Sequence, residues 1–236
     1  MLSWGNYWKE NPKLFVKVME KSTQFFAHKL IQYKIITPNT TLLDFGCGPG
    51  YLANELKGKL TAYYGVDISS NYIETARKKC ADASNFTFKE ILLESGVDGL
   101  LTAVETGKQF NTIIVLSVVQ YFKNKEEVIH LLHNCKLLLV PAGKIILADV
   151  IEDDKGLWKD AFSVLIDSIQ HFYLPSFIRF MFRVKLSKYN TLRKEHQLLH
   201  LSKDEVIAMG EKLQLNVAIL PTITLQSSRI SYCLSI

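Results

Sequence analysis

Apolar positions in this chain follow two rhythms that alternate from about residue 40 onward. Thr41–Phe45, Ala62–Val66, Phe86–Phe88, Phe110–Val119 and Lys144–Val150 are runs dense in Leu, Ile, Val and aromatic residues and are predicted to be strands. Phe110–Val119 is apolar on both faces, as a central parallel strand must be. Between the runs, apolar residues recur every three or four positions, which predicts helices over Tyr51–Lys57, Ser70–Ala81 and Lys125–Val140. Gly58 is placed to stop the first, Ser69 or Ser70 to cap the second, and Pro141-Ala142-Gly143 to close the third. An earlier helix, Leu14–Lys34, carries the stripe Phe15, Val18, Met19, Phe25, Phe26 and Leu30, and Thr37-Pro38-Asn39 ends it. Ser202 with Glu205 three residues on reads as a capping box. Two strands, Leu215–Leu220 and Arg229–Ile236, follow it, joined by a hairpin-like connection.

Two of the apolar runs stop at an acid. Leu42-Leu43 leads to Asp44 and then to Gly46, Gly48 and Gly50; Tyr63-Tyr64-Gly65-Val66 leads to Asp67. Glycines in such a turn let backbone approach a ligand, and the N–H groups at the following helix start attract an anionic group. The spacing narrows the ligand. A P-loop needs a Lys-Ser or Lys-Thr pair that is absent, and the dinucleotide pattern G-x-G-x-x-G would place the third glycine one residue later. Asp44, two residues before the first glycine, is ill suited to a pyrophosphate and well suited to an ammonium group. Asp67 lies 21 residues after Gly46, near the distance expected for an acid on ribose hydroxyls. One acid for an ammonium, one for a ribose and a close-packed glycine turn fit S-adenosylmethionine.

With these residues in view, the chain resembles the class I S-adenosylmethionine-dependent methyltransferases. Leu42–Gly50, Val66–Ser69, Ile113–Phe122 and Gly143–Val150 carry the resemblance, which covers Thr40 to Val150 closely and the tail from Ser202 loosely. It implies an α/β, Rossmann-like fold. The sheet is expected to have seven mostly parallel strands with helices on both faces, its last strand antiparallel beside the fifth. The expected organisation is a single domain. Residues 1–39 form an N-terminal cap and helix, 40–151 the cofactor-binding core, 152–201 a helical insert or lid after strand five, and 202–236 the final helix and strand pair.

The resemblance also distributes roles. Asp44 would anchor the methionine amine, Gly46, Cys47, Gly48 and Gly50 would admit the methionine portion, Asp67 would hold the ribose and Ile68 would pack on adenine. Leu116 and Ser117 would flank the methyl donor. The usual Gly-Asp pair after strand three is missing, which leaves Glu90 as the candidate for the adenine amino group. Trp4, Tyr7 and Trp8 read either as a hydrophobic staple or as a flap over the cofactor, with Tyr7 facing the sulfonium by cation–π attraction. A general base is needed only for a hydroxyl or acidic-carbon acceptor. His171, set among aromatic residues, is the first candidate, with Tyr121 beside it and Tyr173, His196 and His200 behind.

Composition limits the partners. A net charge of +5 is too mild to imply nucleic acid, and no Asp/Asn-Pro-Pro-aromatic string follows strand four to grip a flipped base. The string Ser117–Phe122 is similar instead to the same region of methyltransferases acting on natural products and carrier-bound small molecules. The insert 152–201 is aromatic and basic, with no acid between Asp167 and Glu195. It reads as a lid with its own core, as a pocket for an apolar or anionic acceptor, or, over 171–194, as a peripheral membrane contact for a lipid or quinone substrate. Cys47, Cys80, Cys135 and Cys233 are scattered without a C-x-x-C, which fits a reducing, cytoplasmic setting and no metal site. No signal peptide or membrane-spanning run is visible.

Overall fold

A computed structural model describes residues 3–10, 16–153 and 186–236. The strands are β1 Thr41–Phe45, β2 Ala62–Asp67, β3 Phe86–Glu90, β4 Phe110–Leu116, β5 Leu139–Val150, β6 Asn216–Ile219 and β7 Ile230–Ser235. They form one seven-stranded sheet among the described residues, in the order β3-β2-β1-β4-β5-β7-β6. β1 to β5 pair in parallel, and β7 runs antiparallel to both β5 and β6. The strand order reverses between β1 and β4, so their carboxyl ends open a crevice there.

The helices are α1 Trp4–Lys9, α2 Val16–Gln32, α3 Tyr51–Leu56, α4 Ser70–Lys79, α5 Gly99–Ala103, α6 Lys125–Leu137, α7 Lys188–Glu195 and α8 Lys203–Lys212. Alternating strand residues sort them onto two faces. Leu42, Ile114 and Ile146 meet Phe26, Leu30, Leu52, Leu56 and Ile73 of α2, α3 and α4. Leu43, Ile113, Val115 and Ile145 meet Leu100, Val128, Leu131, Val206 and Met209 of α5, α6 and α8. Ser69 caps α4 through its side chain, and Ser202 with Glu205 closes both bonds of the capping box on α8.

Three boundaries differ from expectation. β4 ends at Leu116 rather than Val119, because Ser117 takes a left-handed φ of 57° and a 3-10 turn, Val119–Tyr121, follows. α6 ends at Leu137, and β5 begins at Leu139 instead of after Gly143. Pro141-Ala142-Gly143 sit in the interruption between the pairs Phe110–Leu139 and Thr112–Lys144, where a missing N–H costs no ladder bond. The six-residue α1, the 3-10 segment Leu93–Asp98 and α5 have no counterpart in the expected plan. They are too short to carry a readable period.

Gly50, the residue before α3, packs against Ala76 of α4. It caps α3 at a φ of 75°, and an added Cβ would lie 2.9 Å from Cα of Ala76. Gly50→Ala is therefore expected to cost at least about 2 kcal/mol, combining a strained backbone with a clash against main chain. A thermal melt should show a drop of roughly 4–8 °C.

Candidate functional site

The turn after β1 is tied to β2 before any ligand is considered. Gly46 N and Cys47 N donate to Val66 O at 2.8 and 3.0 Å. Gly48 N donates to Asp67 Oδ2 at 2.8 Å, and Ser69 N donates to Asp67 Oδ1 at 2.9 Å. Asp67 thus joins the glycine turn to its own loop through both carboxylate oxygens, each with lone-pair capacity left. Gly46 is packed tight: a Cβ there would meet Val118 Cγ2 at 2.5 Å. Gly48 is open, with Met19 Cε at 3.7 Å as the nearest neighbour of an added Cβ. Cys47 is buried, and its Sγ lies against Gly65 and points to Gly48 O at 3.7 Å. Burial, aided by the charges of Asp67 and Asp44, pushes its thiol well up, so it fills space as a neutral group.

Asp44 and Asp67 are 2% and 9% exposed, so each carboxylate is largely withdrawn from water. Burial pushes Asp44 up to about 7, against a hydrogen bond donated by the Tyr63 hydroxyl, and the Asp67 charge pushes the same way as burial. Burial also pushes Asp67 up to about 6, opposed by N–H donation from Ser69, Gly48 and Ile68. A cationic group beside Asp44 would favour its charged form. With the open backbone at Gly48, the two carboxylates match S-adenosylmethionine. Ile68 is half-buried against the α5–α6 side, and Glu90 is exposed and in register with Asp67 at the end of β3.

A second polar group stands at the ends of β4 and β5. Ser117 Oγ donates to Asp149 Oδ2 at 2.6 Å, and Arg229 Nε lies 3.9 Å from Asp149 Oδ1. Ser117 and Asp149 both have left-handed backbones, φ 57° and 64°, a strain that non-glycine residues carry where structure around them compels it. The Asp149 bulge shifts the β5–β7 register between Leu147 and Val150, which brings Arg229 alongside. The sequence reading missed Asp149, Arg229, Tyr63 and Tyr189. Asp149 had a signal, since it ends an apolar run as Asp44 and Asp67 do.

α1 covers this edge. Ser69 Oγ donates to Lys9 O at 3.3 Å, which fixes the end of α1 to the Asp67 loop. The Trp4 ring lies 5.1 Å from both Tyr121 and Tyr189, and Trp8 lies 5.2 Å from Tyr121. Tyr7 is buried, and burial with the neighbouring Tyr189 raises its hydroxyl far above the ordinary tyrosine range. Tyr121 is hydrogen-bonded to Tyr189, and burial, then the proximity of Tyr189, push Tyr121 well up. It keeps its proton at neutral pH and acts as a donor. Leu192 of α7 packs into this aromatic cluster. His171, Tyr173 and residues 171–185 of the expected membrane contact lie outside the described residues; His196 is exposed and His200 half-buried. Among the described residues, no helix is long and apolar enough to cross a membrane.

Residues 9–200 match the model of a methyltransferase domain family. The chain is 31% identical over 112 residues to chondramide synthase of Chondromyces crocatus, a stretch covering 46% of this chain and 3% of that protein. It is 39% identical over 74 residues to malonyl-[acyl-carrier protein] O-methyltransferase of Anoxybacillus flavithermus, covering 29% of this chain and 26% of the other. These matches span about a quarter or less of the length of the curated relatives. Among solved structures, magnesium protoporphyrin IX methyltransferase of Synechocystis with bound S-adenosylhomocysteine superposes with a TM-score of 0.55 at 16% identity, covering 92% of this chain and 82% of that one. A putative O-methyltransferase of Nostoc punctiforme reaches 0.63 at 16% identity, covering 94% and 59%. At that identity the likeness is one of fold. The chain belongs to the methyltransferase domain family, and its sheet has a Rossmann-like α/β order.

Proposed function

We propose that this enzyme methylates a small molecule, a secondary metabolite, sugar or carrier-linked intermediate. The observation that carries this reading is the match of part of the chain to a segment of a probable nonribosomal peptide synthetase of Salinispora arenicola and to a methyltransferase named for a carrier-bound acyl substrate. An aromatic cluster supports it, since α1 and α7 pack together there around Tyr121, in the turn after β4. Four free cysteines, three of them buried, support a cytoplasmic setting.

The cofactor supplies an activated methyl group on a sulfonium. In this reading Asp44 anchors the methionine ammonium and is held for that purpose by Tyr63. Gly46, Cys47, Gly48 and Gly50 present backbone, Asp67 takes the ribose hydroxyls, Ile68 packs on adenine and Glu90 lies within the adenine end. Leu116 and Ser117 flank the reacting centre, and Tyr7 covers it from α1. Alignment and exclusion of water contribute most of the acceleration, about 7–11 kcal/mol for a near-attack geometry. Tyr121 donates a hydrogen bond rather than accepting a proton. In this reading Asp149 accepts from the Ser117 hydroxyl and takes the proton of a hydroxyl acceptor, becoming neutral, and Arg229, whose Nε lies 3.9 Å from its other oxygen, keeps it ionised beforehand.

Asp149→Asn keeps an oxygen for Ser117 and removes the charge. It is expected to lower kcat about 10²-fold or more while leaving S-adenosylmethionine affinity within about threefold. Single-turnover kinetics beside calorimetric binding will check this. The function itself is tested by incubating the protein with methyl-labelled S-adenosylmethionine and N-acetylcysteamine thioesters of amino and acyl acids, alongside free phenols and sugars. Label transfer to any of these supports the reading. Cofactor binding with label transferred to protein or nucleic acid alone would sink it.

A further inference from the structure

α1 is six residues long, too short to hold itself together in water, so its place on the molecule is decided by what it is tied to. Three of its ties fall on three loops at the carboxyl ends of strands. At its start, the Trp4 ring lies 5.1 Å from Tyr121, in the turn after β4. Next to it, Gly5 lies so close to Leu93, in the 3-10 segment after β3, that an added Cβ would stand 2.6 Å from Leu93 Cδ1. At its end, the carbonyl of Lys9, one of those that a helix terminus leaves unpaired, accepts from Ser69 Oγ at 3.3 Å in the loop after β2.

Ser69 is the tie that reaches the site, and it is fully buried. Its N–H donates to Asp67 Oδ1 at 2.9 Å. Its hydroxyl donates to Lys9 O and accepts from Tyr72 N at 3.4 Å, as the cap of α4. A hydroxyl has one proton and two lone pairs, so one side chain serves both. Asp67 Oδ2 accepts from Gly48 N at 2.8 Å. Asp67 and Ser69 therefore hold the glycine turn, the start of α4 and the end of α1 in one network. We propose that Ser69 is a positioning residue that couples α1 to the Asp67 carboxylate, so that a cofactor held by Asp67 fixes α1, and α1 in place raises affinity for the cofactor. This rests on the reading of Asp67 as the acid on the ribose hydroxyls. Linkage makes the two effects equal: the factor by which cofactor suppresses the opening of α1 is the factor by which affinity falls when α1 is displaced. Trp4 and Tyr7 ride on α1, so the aromatic cluster around Tyr121 is set by the same joint.

Backbone hydrogen exchange over residues 3–10, with and without saturating S-adenosylhomocysteine, measures the opening of α1, and calorimetric titration measures affinity. Ser69→Ala removes one atom and with it the joint, and thermal melts confirm that it folds. Ser69→Thr keeps the hydroxyl. Ser202→Ala removes the matching cap of α8 and controls for lost capping alone. Gly5→Val approaches from the other side: it presses on Leu93 and lifts α1 without touching Ser69 or Asp67, and Leu93→Ala in the same chain makes room for it. Loaded wild type is expected to exchange α1 about tenfold more slowly, or slower still, than the free protein. Ser69→Ala and Gly5→Val should each lose that protection together with about tenfold in affinity. Ser69→Thr, Ser202→Ala and the Gly5→Val, Leu93→Ala double variant should stay within about threefold of wild type. Binding by wild type that leaves α1 exchange unchanged, protection and affinity kept in Ser69→Ala, or an equal loss in Ser202→Ala would overturn the proposal and leave the cofactor reading standing. No binding by folded wild type would overturn the cofactor reading, and the proposal with it.

Discussion

Asp67→Ala should abolish micromolar binding of both S-adenosylmethionine and S-adenosylhomocysteine, with a loss of roughly 100-fold or more. A carboxylate that accepts two ribose hydroxyls contributes charge-assisted hydrogen bonds of about 1.5–3 kcal/mol each. Here Asp67 also accepts from Gly48 N and Ser69 N, so its removal loosens the glycine turn itself. Asp67→Asn separates the two effects. The amide oxygen can still accept one N–H, but its NH2 faces the other donor, so partial recovery of stability with little recovery of affinity is expected. Calorimetric titration paired with a thermal melt of each variant reads both quantities. Undiminished affinity in Asp67→Ala would remove the ribose role and with it the central assignment of the site.

Affinity for the cofactor should also fall as the solution is acidified. Asp44, pushed up to about 7, must be ionised to hold the ammonium group, and Asp67, pushed up to about 6, must be ionised to accept from both ribose hydroxyls. Below its pKa each group costs about tenfold in affinity per pH unit. Between pH 8 and pH 5.5, Asp44 alone should weaken binding roughly 30-fold, and protons should be released on binding. Titration in two buffers of different ionisation enthalpy detects that release. Stability of the cofactor-free protein runs the other way. Both folded-state values lie above those of the unfolded chain, so their stabilising contribution is complete below about pH 4. It is lost as pH rises through about 6 and about 7. Tyr63→Phe removes the bond that lowers Asp44, and the affinity midpoint should move to higher pH. A flat affinity profile from pH 5.5 to 8 would show that Asp44 does not meet a cation.

The glycine turn and its two buried acids were legible because they lie in two short, continuous segments. Asp44 and the three glycines announce one turn, and Asp67 ends the neighbouring strand. The antiparallel last strand, inserted beside the fifth, followed from the family pattern and is present. The polar and aromatic group at the ends of β4 and β5 was harder to see because it is assembled from distant pieces. Asp149 meets Arg229 from 80 positions on, and Tyr121 meets Tyr189 from 68 positions on, and no local spacing encodes either encounter. Asp149 itself was readable as a third acid closing an apolar run, but a single acid at a strand end carries no meaning until its partners are known. The strand boundaries failed where conformation broke the pattern, at left-handed Ser117 and around Pro141.

The insertion of β7 between β5 and β6 has a kinetic consequence. β5 receives β7 from the far end of the sequence, so that side of the sheet is assembled from contacts of high sequence separation. The glycine turn and its carboxylates close over a much shorter stretch of chain. Loop-closure entropy therefore favours a refolding molecule that forms the glycine turn before it completes the β5–β7 pairing.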